Sequence, residues 1–284
     1  MTGKEAGCRI YQAIFGIGVR AAKITMPKRV EGVDSFFSIP DILKQEGSKR
    51  PFIVTGPHVG NSEFFQSLLH QMEVPFVVYD KVQPDPLLSQ IEEMSSIYQK
   101  NQCDSFIAVG GGSNIDAAKA VSAAITRPDK RLQQLGGLLK VRHKTPLFIA
   151  VPTTAGTGSE TTVAAVVTDD ATHRKYAIND PVLCPDYAII DPSLTISLPP
   201  GLTASTGMDA LTHAVEAYLN TAYHKKETAR LAEESVTAIM EYLPKAYALG
   251  EDIQAREEML IASFKAGVAF TTACVGNVHA IAHT

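Results

Sequence analysis

The segment Ser105-Phe-Ile-Ala-Val-Gly-Gly-Gly-Ser-Asn-Ile-Asp116 contains the strand, turn and helix signals from which the fold of this chain is predicted. Its first residues are apolar and predict a buried strand, and a helical pattern follows over residues 114–126. The glycines between them can adopt positive φ and leave backbone N–H groups open to a phosphate, which the N-terminus of the helix also favours. The turn, including Gly111, is therefore a candidate for binding a pyrophosphate, although it is neither a G-x-G-x-x-G motif nor a P-loop. The alternative is a tight turn that binds nothing, capped through the box-like spacing of Ser113 and Asp116.

Similar strand and helix patterns lie on both sides of this stretch. We predict further strands at 51–55, 74–79, 146–151, 163–168 and 187–190, and helices at 61–72 and 87–100. Strands that alternate with helices predict a parallel sheet with right-handed crossovers. After the breaker Leu198-Pro-Pro-Gly201, segments rich in Ala, Leu and Glu predict helices only. We therefore expect an α/β domain with a parallel sheet over residues 31–197, an incomplete all-α domain over 198–284, and an N-terminal helix around residues 10–19 within an extension over 1–30.

A second loop, Val151-Pro-Thr-Thr-Ala-Gly-Thr-Gly-Ser-Glu-Thr-Thr162, follows the next predicted strand and contains six hydroxyl side chains. We call it the hydroxyl loop. Because neighbouring parallel strands end at the same edge of a sheet, this loop and the glycine turn should face one crevice. Its neutral donors and acceptors suit ribose and phosphate oxygens. The alternative is an ordinary solvated turn.

Two pairs of polar residues in the helical half are spaced i, i+4. They are Asp209 with His213, and His279 with His283. On a helix this spacing places both side chains on one face, so that each helix can offer two ligands to a common point. One carboxylate and neutral imidazoles suit Fe(II) or Zn(II) better than Ca²⁺. A surface pair is the alternative for either pair taken alone.

Taken together and in this order, the segments resemble one family, the iron-containing (group III) alcohol dehydrogenases, which are relatives of the dehydroquinate synthase-like fold. The resemblance covers roughly residues 32–284. Its markers are Gly110-Gly-Gly-Ser-Asn-Ile-Asp116 with Ala117-Ala-Lys119, Pro152-Thr-Thr-Ala-Gly-Thr-Gly-Ser-Glu160, Gly207-Met-Asp-Ala-Leu-Thr-His-Ala-Val-Glu216 and His279-Ala-Ile-Ala-His283.

The resemblance implies an N-terminal dinucleotide-binding domain, a helical domain and a divalent metal in the cleft between them. It implies that Asp209, His213 and His279 are three of four metal ligands, with Fe²⁺ expected first and Zn²⁺ as the alternative. His283 corresponds to a histidine beside the nicotinamide, where it could assist proton transfer. Positions that match contacts to NAD or NADP are Gly112, Ser113, Thr153, Thr154, Thr162 and Lys175. The implied reaction moves a hydride between a small alcohol or aldehyde and the dinucleotide.

Gly56 is the first departure from the family pattern. Many members have Asp here, and that carboxylate would bind the adenosine ribose hydroxyls and repel a 2′-phosphate. Glycine has no carboxylate to repel the 2′-phosphate, so we expect NADP(H) to be accepted, with His58 and Asn61 near the phosphate.

The second departure is the end of the chain at Thr284. The fourth histidine ligand of the family is absent, and its members continue through further helices. We expect the chain as written to be poorly active and prone to aggregation, because a three-ligand site and uncovered helices remain.

Composition narrows the class of protein. A net charge of −4 over 284 residues gives no electrostatic support for a nucleic-acid or membrane partner. The four cysteines are far apart, which favours a reducing cytoplasm over a disulfide framework. A homodimer is the default expectation for such a fold. The competing functions are a zinc enzyme similar to glycerol dehydrogenase or dehydroquinate synthase, and a non-catalytic dinucleotide-binding relative.

Overall fold

The computed structural model describes residues 24–221, 225–274 and 276–282. Cys8, His283 and the N-terminal helix predicted around residues 10–19 lie outside the described residues. The strands in the described part are β1 (Lys28–Glu31), β2 (Pro51–Val54), β3 (Val77–Tyr79), β4 (Ser105–Gly110), β5 (Gly137–Leu138), β6 (Leu147–Pro152), β7 (Ala164–Thr168), β8 (Lys175–Asn179) and β9 (Tyr187–Ile190). The helices are α1 (Ile39–Glu46), α2 (Pro57–Gly60), α3 (Glu63–Gln71), α4 (Leu88–Lys100), α5 (Gly112–Thr126), α6 (Leu132–Leu135), α7 (Pro200–Leu219), α8 (Lys226–Ala248), α9 (Ile253–Ala273) and α10 (Asn277–Ala282).

The main sheet of the described chain has six strands in the order β1-β9-β6-β4-β2-β3, and every pairing in it is parallel. The predicted α/β architecture with a parallel sheet is confirmed. β4 and β6 end level with each other, because Gly110 pairs with Pro152. The glycine turn and the hydroxyl loop therefore leave the sheet side by side, as their order along the chain predicted.

The strand predicted at residues 163–168 is confirmed as β7, but it lies outside the main parallel sheet. β7 pairs antiparallel with β8 in a separate sheet with the order β5-β8-β7. Its residues alternate between buried and half-buried, whereas every residue of β4 is buried. That alternation is typical of a sheet with one covered face. β8 and β1 were not predicted, since their exposed lysines and short apolar content give little strand signal.

Alternate residues of the central strands form the two sides of the core. On one side, the aromatic rings of Phe52, Phe106 and Phe148 lie in register across three strands and pack against the small residues of α5. On the other side, isoleucines of the same strands pack against α1 and α3. Burial on both faces explains the near-continuous apolar runs from which these strands were predicted.

The helices after residue 200 share a core with the sheet. Ile190 at the end of β9 and Ala155 of the hydroxyl loop pack with Ile239 of α8 and Met259 of α9. The helical region is therefore packed on the edge of the sheet where the two predicted loops emerge. Among the described residues, no helix is both long and apolar enough to cross a bilayer.

Candidate metal and dinucleotide site

The glycine turn connects β4 directly to α5. Gly110 has φ +143°, and a side chain at this position would collide with that of Asn114. α5 begins at Gly112, and no side chain accepts a hydrogen bond from its first turn as a cap. The backbone at the start of α5 is therefore not occupied by an internal cap.

The proposed capping box of Ser113 and Asp116 is wrong. Asp116 lies one turn inside α5 and reaches sideways, where its carboxylate accepts hydrogen bonds from Ser159 Oγ at 2.5 Å and from the Val166 N–H at 3.0 Å. Ser113 lines an open cavity and accepts a long hydrogen bond from the Asp85 N–H. Asp116 thus joins the glycine turn to the hydroxyl loop and to β7.

The hydroxyl loop is largely buried, so the alternative of a solvated turn is wrong. Thr153, Ser159, Thr161 and Thr162 are each at most 6% exposed. The Lys119 ammonium of α5 donates to the Ser159 carbonyl at 2.6 Å, to the Thr162 carbonyl at 2.6 Å and to Thr162 Oγ1 at 2.8 Å. A buried charge with several acceptors fixes the position of the loop against α5.

Burial also shifts the ionisation of the groups around this loop. It lowers the pKa of Lys119 to about 8, against the opposing charge of Asp116. It raises the pKa of Glu160 to about 7, although the backbone and Lys119 favour the charged carboxylate. Sequence analysis includes both groups only as parts of family markers, and the structure shows them as buried titratable groups, Glu160 in the loop and Lys119 in α5 against it.

A cavity of about 650 Å³ runs from the start of α5 to the helical region. Thr162, Val166 and Lys175 line this cavity, and Lys175 Nζ pairs with Asp85 Oδ1 at 2.8 Å. The predicted site residues that line this cavity are Gly112, Ser113, Thr162, Lys175, Asp209, His213 and His279. The predicted residues Gly56, Gly111, Thr153 and Thr154 are not part of its lining. A volume of this size is typical of sites for cofactors and small molecules.

Asp209, His213 and His279 converge at the far end of this cavity. One ligand atom from each lies within 4.8 Å of the others. Asp209 and His213 project from the same face of α7 because they are four residues apart, whereas His279 comes from α10. The i, i+4 spacing of Asp209 and His213 thus predicted part of a real cluster, and His279 is brought to it by packing.

His213 is held in a form suited to binding a metal. Its ring is stacked between those of Phe270, at 4.2 Å, and His279, at 4.4 Å. Burial lowers the pKa of His213 to about 4, with Asp209 opposing the shift. Its buried Nδ1 has no hydrogen-bond partner among the described residues. A neutral imidazole with an unpartnered buried nitrogen is what a divalent metal requires.

His279 lies between two carboxylates. Its Nε2 is 3.6 Å from Asp209 Oδ1, and its Nδ1 is 2.6 Å from Glu216 Oε2. The hydrogen bond to Asp209, followed by that to Glu216, raises the pKa of His279 against the effect of burial. Glu216 was not predicted as a site residue. Its spacing of seven residues from Asp209 was the signal that could have found it, because residues two turns apart share a helix face.

The chain matches models of a known protein family in two consecutive segments. Residues 27–192 match the family model described as iron-containing alcohol dehydrogenase, and residues 203–284 match that of the C-terminal region of the same family. The chain belongs to the iron-containing alcohol dehydrogenase family. The resemblance inferred from the sequence is thereby confirmed, and this family uses iron and a nicotinamide dinucleotide.

Individual members of the iron-containing alcohol dehydrogenase family align over most of the chain. It is 39% identical to the NAD-dependent methanol dehydrogenase of Bacillus methanolicus, over 90% of this chain and 68% of that protein. It is 40% identical to alcohol dehydrogenase 4 of Schizosaccharomyces pombe, over 85% of this chain and 57% of that protein. The structure of an alcohol dehydrogenase from Oenococcus oeni superposes with a TM-score of 0.88 at 37% identity, covering 93% of this chain and 70% of the other.

Proposed function

We propose that this chain carries the dinucleotide and metal sites of an alcohol dehydrogenase that transfers a hydride between a small alcohol and NAD or NADP, and that reduces an aldehyde in the reverse direction. The observation that carries the proposal is the single cavity that joins the start of α5 to the cluster of Asp209, His213 and His279. A hydride donor and acceptor must be held next to each other, and one cavity lined by both groups offers that arrangement.

The donor set fits a divalent metal. Asp209 would contribute a carboxylate oxygen, and His213 and His279 would contribute neutral imidazole nitrogens, a combination that suits Fe²⁺ and Zn²⁺. Burial lowers the pKa of His213 to about 4, so its ring is neutral at physiological pH, which supports this assignment. When bound, the metal supplies Lewis acidity toward the oxygen of the substrate, and the nicotinamide supplies the hydride acceptor or donor.

Residues of the chain would bind the dinucleotide and line the site. The start of α5, with Gly112 and Ser113, would bind the pyrophosphate through backbone N–H groups and the helix dipole. Lys175 adds a positive charge at the side of the same cavity. Val163 and Phe270 supply apolar lining of the cavity, and the ring of Phe270 stacks on that of His213.

The role of His283 stays a proposal, namely proton transfer between the substrate and solvent, as do a homodimeric state and a cytoplasmic location. The dispersed cysteines support the reducing compartment, since the three described ones are free.

The proposal is tested by replacing Asp209. We expect the chain, loaded anaerobically with Fe²⁺ or Zn²⁺, to retain one metal ion and to bind NADH. Asp209→Ala should lose the metal, because one ligand is gone, and with it the low alcohol-dependent reduction of NAD or NADP expected of the unaltered chain, while NADH binding persists. Metal content, NADH fluorescence and turnover are measured in parallel, with the exposed Asp41→Ala as control. Cofactor binding without metal retention in the unaltered chain would favour the non-catalytic alternative.

A further inference from the structure

Glu216 shares one face of α7 with two members of the metal cluster. It is seven residues after Asp209 and three after His213, and it is 7% exposed. Its carboxylate accepts hydrogen bonds from the Gly276 N–H at 2.8 Å and the Val278 N–H at 2.6 Å, and it contacts His279 Nδ1 at 2.6 Å. A buried carboxylate with three N–H groups directed at it is well satisfied as an anion.

The first consequence concerns the tautomer of His279. An ionised carboxylate can only accept, so the ring nitrogen that faces Glu216, Nδ1, must carry a proton. The neutral ring then has its lone pair on Nε2, and Nε2 is the nitrogen that faces Asp209 Oδ1. The contact therefore orients the lone pair of His279 toward the cluster.

The second consequence concerns the position of α10. This helix has only six residues and cannot be stable by itself. Glu216 binds two N–H groups at its start, so α10 is tied to α7 at the point where His279 enters the cluster. A Cβ on Gly276 would lie 3.0 Å from Glu216 Oε1, which leaves little room for a side chain at this approach.

We propose that Glu216 is a positioning residue of the metal centre: it selects the Nδ1–H tautomer of His279 and anchors the start of α10 so that Nε2 faces the metal. This inference rests on the proposed function, because it requires a metal at Asp209, His213 and His279. Carboxylates that hold a ligating histidine in this way contribute about 10- to 100-fold to metal affinity in other proteins.

The test measures the Zn²⁺ dissociation constant of the full chain by competition with a chelator. Glu216→Gln keeps the shape of the side chain but places an NH₂ group against one of its N–H donors. We expect it to weaken Zn²⁺ binding by about 10- to 100-fold, and to alter the visible absorption of the Co²⁺-loaded chain. Glu227→Gln, on the exposed start of α8, is the matched control and should change neither quantity.

A double-mutant cycle separates positioning from folding. In a His279→Ala background, Glu216→Gln should cause no further loss of Zn²⁺ affinity, because its effect passes through His279. A further loss there, accompanied by a lower thermal midpoint, would show that Glu216 acts through general folding and would overturn the inference.

Two other outcomes distinguish failure of the proposed function from failure of the positioning role. If the unaltered chain binds Zn²⁺ no better than Asp209→Ala, the metal centre of the proposed function fails. If the unaltered chain binds Zn²⁺ and Glu216→Gln binds it equally well, the centre stands and only the positioning role is overturned.

Discussion

Glu160 shows how one residue can make the stability of the chain depend on pH. It is 2% exposed in the hydroxyl loop, and burial raises the pKa of its carboxyl group from 4.5 to about 7. The folded chain therefore holds this proton more tightly than the unfolded chain does. Its contribution to stability is fully present below pH 4.5 and is lost as the pH rises through 7.

We expect Glu160→Gln, which resembles the protonated acid, to lose less stability than the unaltered chain between pH 5 and pH 8. The shift corresponds to a difference on the order of 3 kcal/mol. Urea denaturation at both pH values measures it, with Glu227→Gln as the exposed control. Equal pH dependence in Glu160→Gln and the unaltered chain would show that Glu160 is not the group that titrates.

Gly56 carries the prediction about cofactor choice. It lies between β2 and α2, where a Cβ would be 3.0 Å from the Val82 carbonyl oxygen and 3.4 Å from Asn114 Oδ1. We expect Gly56→Asp to weaken NADPH binding relative to NADH by about tenfold or more, because its carboxylate would repel the 2′-phosphate.

The dissociation constants of both reduced dinucleotides are measured by fluorescence for Gly56→Asp and for Gly56→Asn. The Asn variant has the same size without the charge, so it should keep the ratio of the unaltered chain. A hundredfold preference of the unaltered chain for NADH would refute the expectation that NADP(H) is accepted.

At the scale of elements, the hydroxyl loop and α9 meet backbone to backbone. A Cβ on Gly267 of α9 would lie 3.0 Å from the Gly158 Cα and would collide with Thr161 Oγ1. Gly158 itself has φ +60°. Gly158, in the loop that is expected to bind ribose and phosphate, thus also allows the helical region to approach the loop.

We expect Gly267→Ala to destabilise the fold by about 1–3 kcal/mol, because the extra methyl group must displace the loop or the helix. Gly201→Ala is the matched control: it lies in the first turn of α7 with open space around its Cβ. Urea midpoints measure both variants. A Gly267→Ala chain as stable as Gly201→Ala would mean that the loop and helix separate at little cost.

In the molecule as a whole, the sheet and the helices share a continuous core beside the cavity. The core that contains Ala155 and Ile190 continues into α7, α8 and α9. Ligands that bind the folded cavity should therefore stabilise both regions together, by about 2.7 kcal/mol at 100 times the dissociation constant.

For a chain of this size, that stabilisation corresponds to a rise of roughly 5–10 °C in the thermal midpoint. We expect such a rise with NADH and a further rise with Zn²⁺. In Asp209→Ala the rise with NADH should persist and the rise with Zn²⁺ should disappear. A Zn²⁺ effect of equal size in Asp209→Ala would place the bound ion away from the cluster.

Much of the fold could be predicted because its signals are local. The strands β2, β4, β6 and β9 are short runs of apolar residues buried on both faces. The turn before α5 contains Gly110, whose positive φ is a conformation that few residues other than glycine adopt. The pairing of β7 with β8 could not be predicted, because it depends on a hairpin whose second strand begins with exposed residues.

The parallel sheet, the common edge for the two loops and the shared helix face of Asp209 and His213 could be predicted, since each follows from spacing along the chain. Which polar groups are buried together depends instead on the tertiary packing. Lys119 reaches the hydroxyl loop, and His279 reaches both Asp209 and Glu216 across more than sixty residues. Such contacts depend on how the helices pack, and no local sequence pattern encodes a contact between residues so far apart in the chain.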